Sequence, residues 1–315
     1  MTAREQQTSD GEIVCAITAG AGSKRAGRLA ARLAERLSLR LALIHVQMPI
    51  APPDAAIVEG PHPVAPIAVD LVAPLELLTP PPVAPAAWEE VLVCSQPTRR
   101  DIVPGVPSEA LQRLSEAEDT ALLVVADDGG GPLTSVFAGN APRGAIRSVA
   151  CPMVLVPELM VEHANVRDVL CGVDEDDAAA DVASAAADLA GRLGGRLRFV
   201  HVVGRAVSGA EPEQTPLGEL DESSRRATEA LFDRCRTVLG AQSTAEFVTI
   251  EGDAADGLRA AAEDMDAGLI VIGRPLRGAL GSALMGSAAH ALLRAGGFPV
   301  VVVPPAGGAA GEDPA

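Results

Sequence analysis

The chain is written twice, and that repetition limits its fold more than any other feature. "EIVCAITAGAGSKRAGRLAARLAERLSLRLALIHVQ", starting at Glu12, aligns with "DVLCGVDEDDAAADVASAAADLAGRLGGRLRFVHVV", starting at Asp168. Cys15 falls on Cys171 and His45 on His201, both at an offset of 156. Further on, "LLVVADDGGGPLTSVFAGNAPRGAIRSVACPMVLVP" answers "LIVIGRPLRGALGSALMGSAAHALLRAGGFPVVVVP", with Gly139 on Gly286 and Arg147 on Arg294 at an offset of 147. The offset drops by nine, so the first half carries extra chain in its middle. Residues 49–87 hold eleven of the chain's twenty-five prolines, and an irregular excursion over the surface is expected there.

Each half alternates short apolar runs with helical patterns. In the second half, strands are expected at "VLCGV", "LRFVHVV", "AEFVTI", "GLIVIG" and "PVVVV". Helices fall between them, the first starting near Asp177 with an apolar face of Val182, Ala185, Ala186, Leu189 and Leu193. Strands alternating with helices imply parallel β-α-β units wound on both faces of a sheet. The expected architecture is α/β: two tandem doubly wound domains over 11–158 and 168–305, each with a five-stranded parallel sheet. A linker covers 159–167, and 306–315 reads as a disordered tail.

Composition narrows the functions. Twenty-five basic and forty-two acidic residues give a net charge of −17, which disfavours nucleic acid and anionic membrane as partners. Lys24 is the sole lysine, so a phosphate-loop NTPase of the Gly-Lys-Ser/Thr type is excluded. Five scattered cysteines form no Cys-x-x-Cys pair and fit a reducing compartment better than a zinc or redox site. With a polar start and no apolar run near the ~20 residues of a membrane span, a cytoplasmic protein is expected.

The opening strand ending at Asp174, the His-Val pairs 45–46 and 201–202, and the late glycine spacing together resemble the universal stress protein family in its tandem form. The resemblance implies a strand order of 3-2-1-4-5 in each half, similar to adenine nucleotide alpha hydrolases, with ATP at the carboxyl ends of the first and fourth strands. Nucleotide-binding members carry Gly-x2-Gly-x9-Gly-Ser/Thr. In the second half the resemblance assigns Asp174 to the ribose, Val202 to the adenine, and Gly273, Gly286 and Ser287 to the phosphate loop, with Leu276 in place of the second glycine. In the first half it assigns Val46, Gly129, Gly139 and Asn140, but Thr18 replaces the Asp and Ala126 the first glycine. That half is expected to be empty of ATP.

A phosphate cradle needs inward N–H groups and no side chain in the way. Leu276 puts a branched side chain there, and Pro275 removes a donor. Ser287 is expected as the N-cap of the last helix, its hydroxyl free for phosphate or backbone. Without a ligand, Gly273, Gly286 and Ser287 make a turn and a helix cap. "DEDD", residues 174–177, would repel an incoming triphosphate by about 3 kcal/mol per charge pair at ~6 Å and an effective dielectric near 20, unless Mg²⁺ intervenes. Arg274 and Arg277 read either as compensating charge or as solvated surface groups. His45 and His201 read as structural, and no nucleophile, base and orienting group can be assembled into an enzyme.

Two apolar last strands, "MVLVP" (153–157) and "VVVVP" (300–304), would pair with each other within the chain. A homodimer and an unidentified protein partner are left open. The functional expectation is a cytosolic, non-enzymatic stress-response scaffold with degenerate nucleotide sites. The alternative is a sensor that binds ATP, with Mg²⁺, through the second half.

Overall fold

A computed structural model describes residues 11–17, 21–47, 99–126, 149–160, 165–176, 178–204, 213–239, 244–274 and 287–305. The proline-rich stretch 49–87 and the tail 306–315 lie outside the described residues, as do Leu276 and Arg277.

The first half runs β1 (Glu12–Ile17), α1 (Ala21–Leu37), β2 (Arg40–Gln47), β3 (Arg99–Pro104), α2 (Pro107–Ser115), β4 (Thr120–Ala126) and β5 (Met153–Val156). The second half runs β6 (Val169–Gly172), α3 (Ala179–Leu193), β7 (Leu197–Val203), β8 (Glu213–Gln214), α4 (Glu222–Leu239), β9 (Glu246–Glu251), α5 (Ala254–Asp264), β10 (Leu269–Gly273), α6 (Ser287–Ala295) and β11 (Val300–Val303). Among the described residues these strands form one sheet, ordered β3-β2-β1-β4-β5-β11-β10-β6-β7-β9-β8. Read outward from the middle, each half has the order 5-4-1-2-3, and its five main strands are parallel. The second half adds the two-residue β8, antiparallel to β9 at the outer edge.

The halves meet where β5 and β11 pair antiparallel, Met153 opposite Val302, Val154 opposite Val301 and Leu155 opposite Val300. All these side chains are buried. Valine-rich strands suit this position, because each is covered on both faces and pairs on both edges.

Helices α1, α3 and α4 cover one face of the sheet, and α2, α5 and α6 the other. Their buried side chains form two apolar layers, one containing Leu33, Phe199 and Phe232, the other Leu111, Leu258 and Leu292. Phe199 and Phe247 stack at 5.1 Å between ring centres, and Arg236 lies 4.5 Å above the Phe247 ring. The buried face of α3 is Ala179, Val182, Ala183, Ala186, Ala190 and Leu193, so Ala185 and Leu189 of the expected face are only half-buried. Seven of its fifteen residues are alanine, which fits either side, and the sheet rather than the sequence sets its rotation.

Helix ends follow their local chemistry. Asp253 accepts from the N–H groups of Ala255 and Asp256 and starts α5. Gly194, at φ 66°, ends α3 in the left-handed conformation.

Candidate functional site

Parallel strands direct their carboxyl ends to one edge, and a doubly wound sheet leaves a crevice where the connections diverge. In the second half that place lies between β6 and β10. Val169 is level with Leu269 and Cys171 with Val271, so the same register two residues on sets Gly273 beside Val173, just before Asp174. On the other side of β6, the Val173 N–H donates to the Val200 carbonyl at 3.0 Å, which places Val202 at the same edge. Asp174, Val202 and Gly273 therefore converge. Gly286 lies outside the described residues, and Ser287 opens α6 as its first helical residue, one position inside the expected cap.

The crevice mouth is acidic. Asp174, Glu175 and Asp176 are all exposed. Asp174 Oδ1 accepts from the Glu175 N–H at 2.8 Å, and Asp176 Oδ1 accepts from the Ala178 N–H at 3.1 Å at the entry to α3. Arg234 of α4 donates to the Asp176 carbonyl at 3.2 Å, which holds the turn against the helix behind it.

Two histidines fasten the strand ends. His45 Nδ1 donates to the Ile17 carbonyl at 2.8 Å, and His201 Nδ1 to the Val173 carbonyl at 3.1 Å. A carbonyl can only accept, so Nδ1 carries the proton in both rings. The repeat offset of 156 relates the two acceptors as well as the two rings. Each histidine ties the second strand of its half to the end of the first, and His201 Nε2 is left facing Glu175 Oε1 at 3.7 Å.

Gly273 and Arg274 have other duties at this edge. A Cβ on Gly273 would lie 2.9 Å from Val182 Cγ2, so the glycine lets α3 approach β10. Arg274 is half-buried, and its guanidinium donates to the Val149 carbonyl of the first half at 3.0 Å. Its backbone N–H donates to the Val303 carbonyl at 2.8 Å. Burial pushes the Arg274 guanidinium below its ordinary value. Arg274 is thus a tie between the halves rather than the solvated surface group that sequence reasoning also allowed. Nothing in the local sequence points to an acceptor 125 residues away.

In the first half, Val46 is half-buried in β2, level with Val103 of β3. Thr18, Gly129, Gly139 and Asn140 lie outside the described residues. Among the described residues no group of three or more His, Cys, Asp or Glu is placed to hold a metal ion. No helix among them is long and apolar enough to cross a membrane. The described cysteines are free and buried. Burial pushes the Cys15 and Cys151 thiols up to about 12, which leaves them poor nucleophiles.

A family model described as "Universal stress protein family" matches residues 11–157 and again 165–304. Comparison with curated proteins returned no match. Among solved structures, a universal stress protein from Archaeoglobus fulgidus DSM 4304 is 15% identical with a TM-score of 0.56, the match covering 95% of this chain and 97% of that one. A functionally unknown protein from Pseudomonas aeruginosa PAO1 is 17% identical with a TM-score of 0.52, covering 93% of this chain and 92% of that one. At such identities the likeness concerns the fold.

Proposed function

The chain belongs to the universal stress protein family, as a tandem of two such domains, and from that premise we propose that it is a cytosolic, non-enzymatic scaffold of a stress response. In this reading it presents surface to a protein partner, and its carboxyl-edge crevices have lost the power to hold a nucleoside triphosphate. The observation that carries the reading is the double use of the second crevice's first glycine and the arginine after it. Gly273 makes room for Val182, and Nη1 of Arg274 donates to the Val149 carbonyl, 125 residues away. Three exposed acids stand at the same mouth and supply repulsion where a phosphate chain needs donors.

One observation favours a second reading, a sensor that binds ATP through the second half. Asp174 is exposed at the end of the first strand of that half, where a ribose would be met, and it lies level with Val202. In that reading Mg²⁺ would offset the acidic mouth.

Mass spectrometry of small molecules released from natively purified protein separates the two. The scaffold reading expects no nucleotide and no change in melting temperature in millimolar Mg-ATP. One adenine nucleotide per chain, lost in an Asp174→Ala variant that still melts as wild type does, would overturn it and establish the sensor.

A further inference from the structure

At the amino edge of the sheet, a shallow cleft of about 610 Å³, largely open to solvent, lies between the two halves, away from the crevice just described. Asp168, in its wall, precedes β6, whereas Asp174 follows that strand; six residues of extended chain separate the two edges by about 20 Å. We propose that this cleft binds a small phosphorylated anion, gripped by Arg36 from the first half and by Arg167 and Arg196 from the second.

The charges in the wall do not cancel. Arg36 lies in the last turn of α1, and Arg167 lies just before β6; both are exposed. Among the described residues neither guanidinium has a hydrogen-bond or ion-pair partner. Arg196 is anchored, with Nε on Asp168 Oδ2 at 2.7 Å and Nη2 on the Met265 carbonyl at 2.6 Å. The Arg196 backbone N–H takes the other oxygen of Asp168 at 2.8 Å. Burial alone would raise the Asp168 carboxyl, but those donors and Asn165 outweigh it and hold the group below its ordinary value. The one acid in the lining is therefore neutralised by Arg196, whose Nη1 still has protons to give. Arg36 and Arg167 remain as two uncompensated positive charges in a chain whose net charge is −17.

The walls are also fixed in place. A Cβ on Gly195 would run into the Arg167 carbonyl, so only glycine lets the turn after α3 press on the backbone that carries Arg167. Asn165 Oδ1 accepts from the Arg167 N–H at 2.9 Å. Across the cleft, Arg192 of α3 donates to the carbonyl of Leu37, next to Arg36, at 3.2 Å. These contacts fix the backbone that carries Arg36 and Arg167 on the two sides before any ligand arrives. Two uncompensated charges match a phosphate dianion, and guanidinium forks meet phosphate oxygens in pairs.

The test is isothermal titration of the full-length protein with inorganic phosphate and, separately, inorganic pyrophosphate at low salt. Variants Arg36→Ala and Arg167→Ala are compared with Arg113→Ala, an exposed arginine of α2 on the opposite face. The proposal expects one saturable site for at least one of the two anions. It expects each cleft variant to weaken that binding about tenfold, the scale of one charge-assisted contact. Arg113→Ala should bind as wild type does, and all three variants should melt with it, because the altered side chains are exposed. Preference for pyrophosphate would point to a diphosphate-bearing compound, and equal binding to a phosphate monoester or free phosphate. No saturable binding to wild type overturns the proposal. So does retention within about threefold in either cleft variant, or equal loss in Arg113→Ala. An anion held instead in the carboxyl-edge crevice would survive both cleft substitutions, so this test and the nucleotide test fail separately.

Discussion

Replacing Gly273 with alanine puts a methyl group 2.9 Å from Val182 Cγ2. Gly273 is not among the glycines with positive φ, so the cost of the change is steric rather than conformational. Val182 is 3% exposed on the buried face of α3, and its β-branched side chain has little rotamer freedom with which to yield. Overpacking a filled site costs about 1–3 kcal/mol, and a stiff neighbour sets the expectation at about 2 kcal/mol. Val182→Ala removes two methyl groups, at about 0.8 kcal/mol each plus a cavity term, for a loss of about 2 kcal/mol. If the clash is the cause, the double variant loses about 2 kcal/mol rather than about 4, because the new methyl occupies space the valine vacated. Urea unfolding of the four proteins reads this directly: about 2 kcal/mol moves the midpoint by about 1 M when m is near 2 kcal/mol/M. A Gly273→Ala loss below about 0.5 kcal/mol, or additivity of the two changes, refutes the packing account. The glycine would then need another reason, and phosphate approach would regain its place as that reason.

Two further outcomes follow from the seam and from the amino edge. Val302→Lys buries an ammonium opposite Met153, where it must lose about 3–5 units of pKa, roughly 4–7 kcal/mol, or force the seam open. Light scattering and thermal melting should show association or a large loss of stability; a variant that melts and scatters as wild type does would show that the seam does not hold the halves together. Asp168 has a depressed carboxyl, so its ion pair with Arg196 contributes fully above the unfolded carboxylate pKa of about 4 and fades as pH falls through the lower folded value. Urea midpoints of wild type and Asp168→Asn should therefore differ at neutral pH and converge in acid; a gap of constant size across that range contradicts the ion-pair account.

The repeat made much of this fold legible because buried strands and their neighbours carry their own pattern. Cys15 and Cys171 align in sequence and sit at matching points of β1 and β6, and both are fully buried, as are Val14 and Leu170 before them. His45 and His201 were legible as structural for the same reason, although their shared acceptors emerge only when strand ends are set side by side. The face of α3 was misjudged by part of a turn, since Ala183 and Ala190 are as apolar as Ala185 and no contrast marks the core side. Two-residue β8 has no periodicity to detect. Arg192 and Arg274 reach carbonyls 155 and 125 residues away, and a backbone acceptor leaves no trace in residue identity.

Charge separates the two edges of the sheet in a way that spacing does not. The glycine spacing directs attention to the carboxyl edge, where Asp174, Glu175 and Asp176 are exposed and Arg274 Nη1 donates to the Val149 carbonyl. At ~6 Å and an effective dielectric near 20, each unit pair contributes about 3 kcal/mol, of opposite sign at an acidic and a basic wall. The amino edge has no glycine motif, yet its acid is neutralised and two of its arginines have no partner among the described residues. With 25 basic and 42 acidic residues, an edge of this chain is acidic on average, and the basic cleft departs from that average. Its source is the meeting of the halves: Arg36 comes from one repeat, and Arg167 and Arg196 from the other.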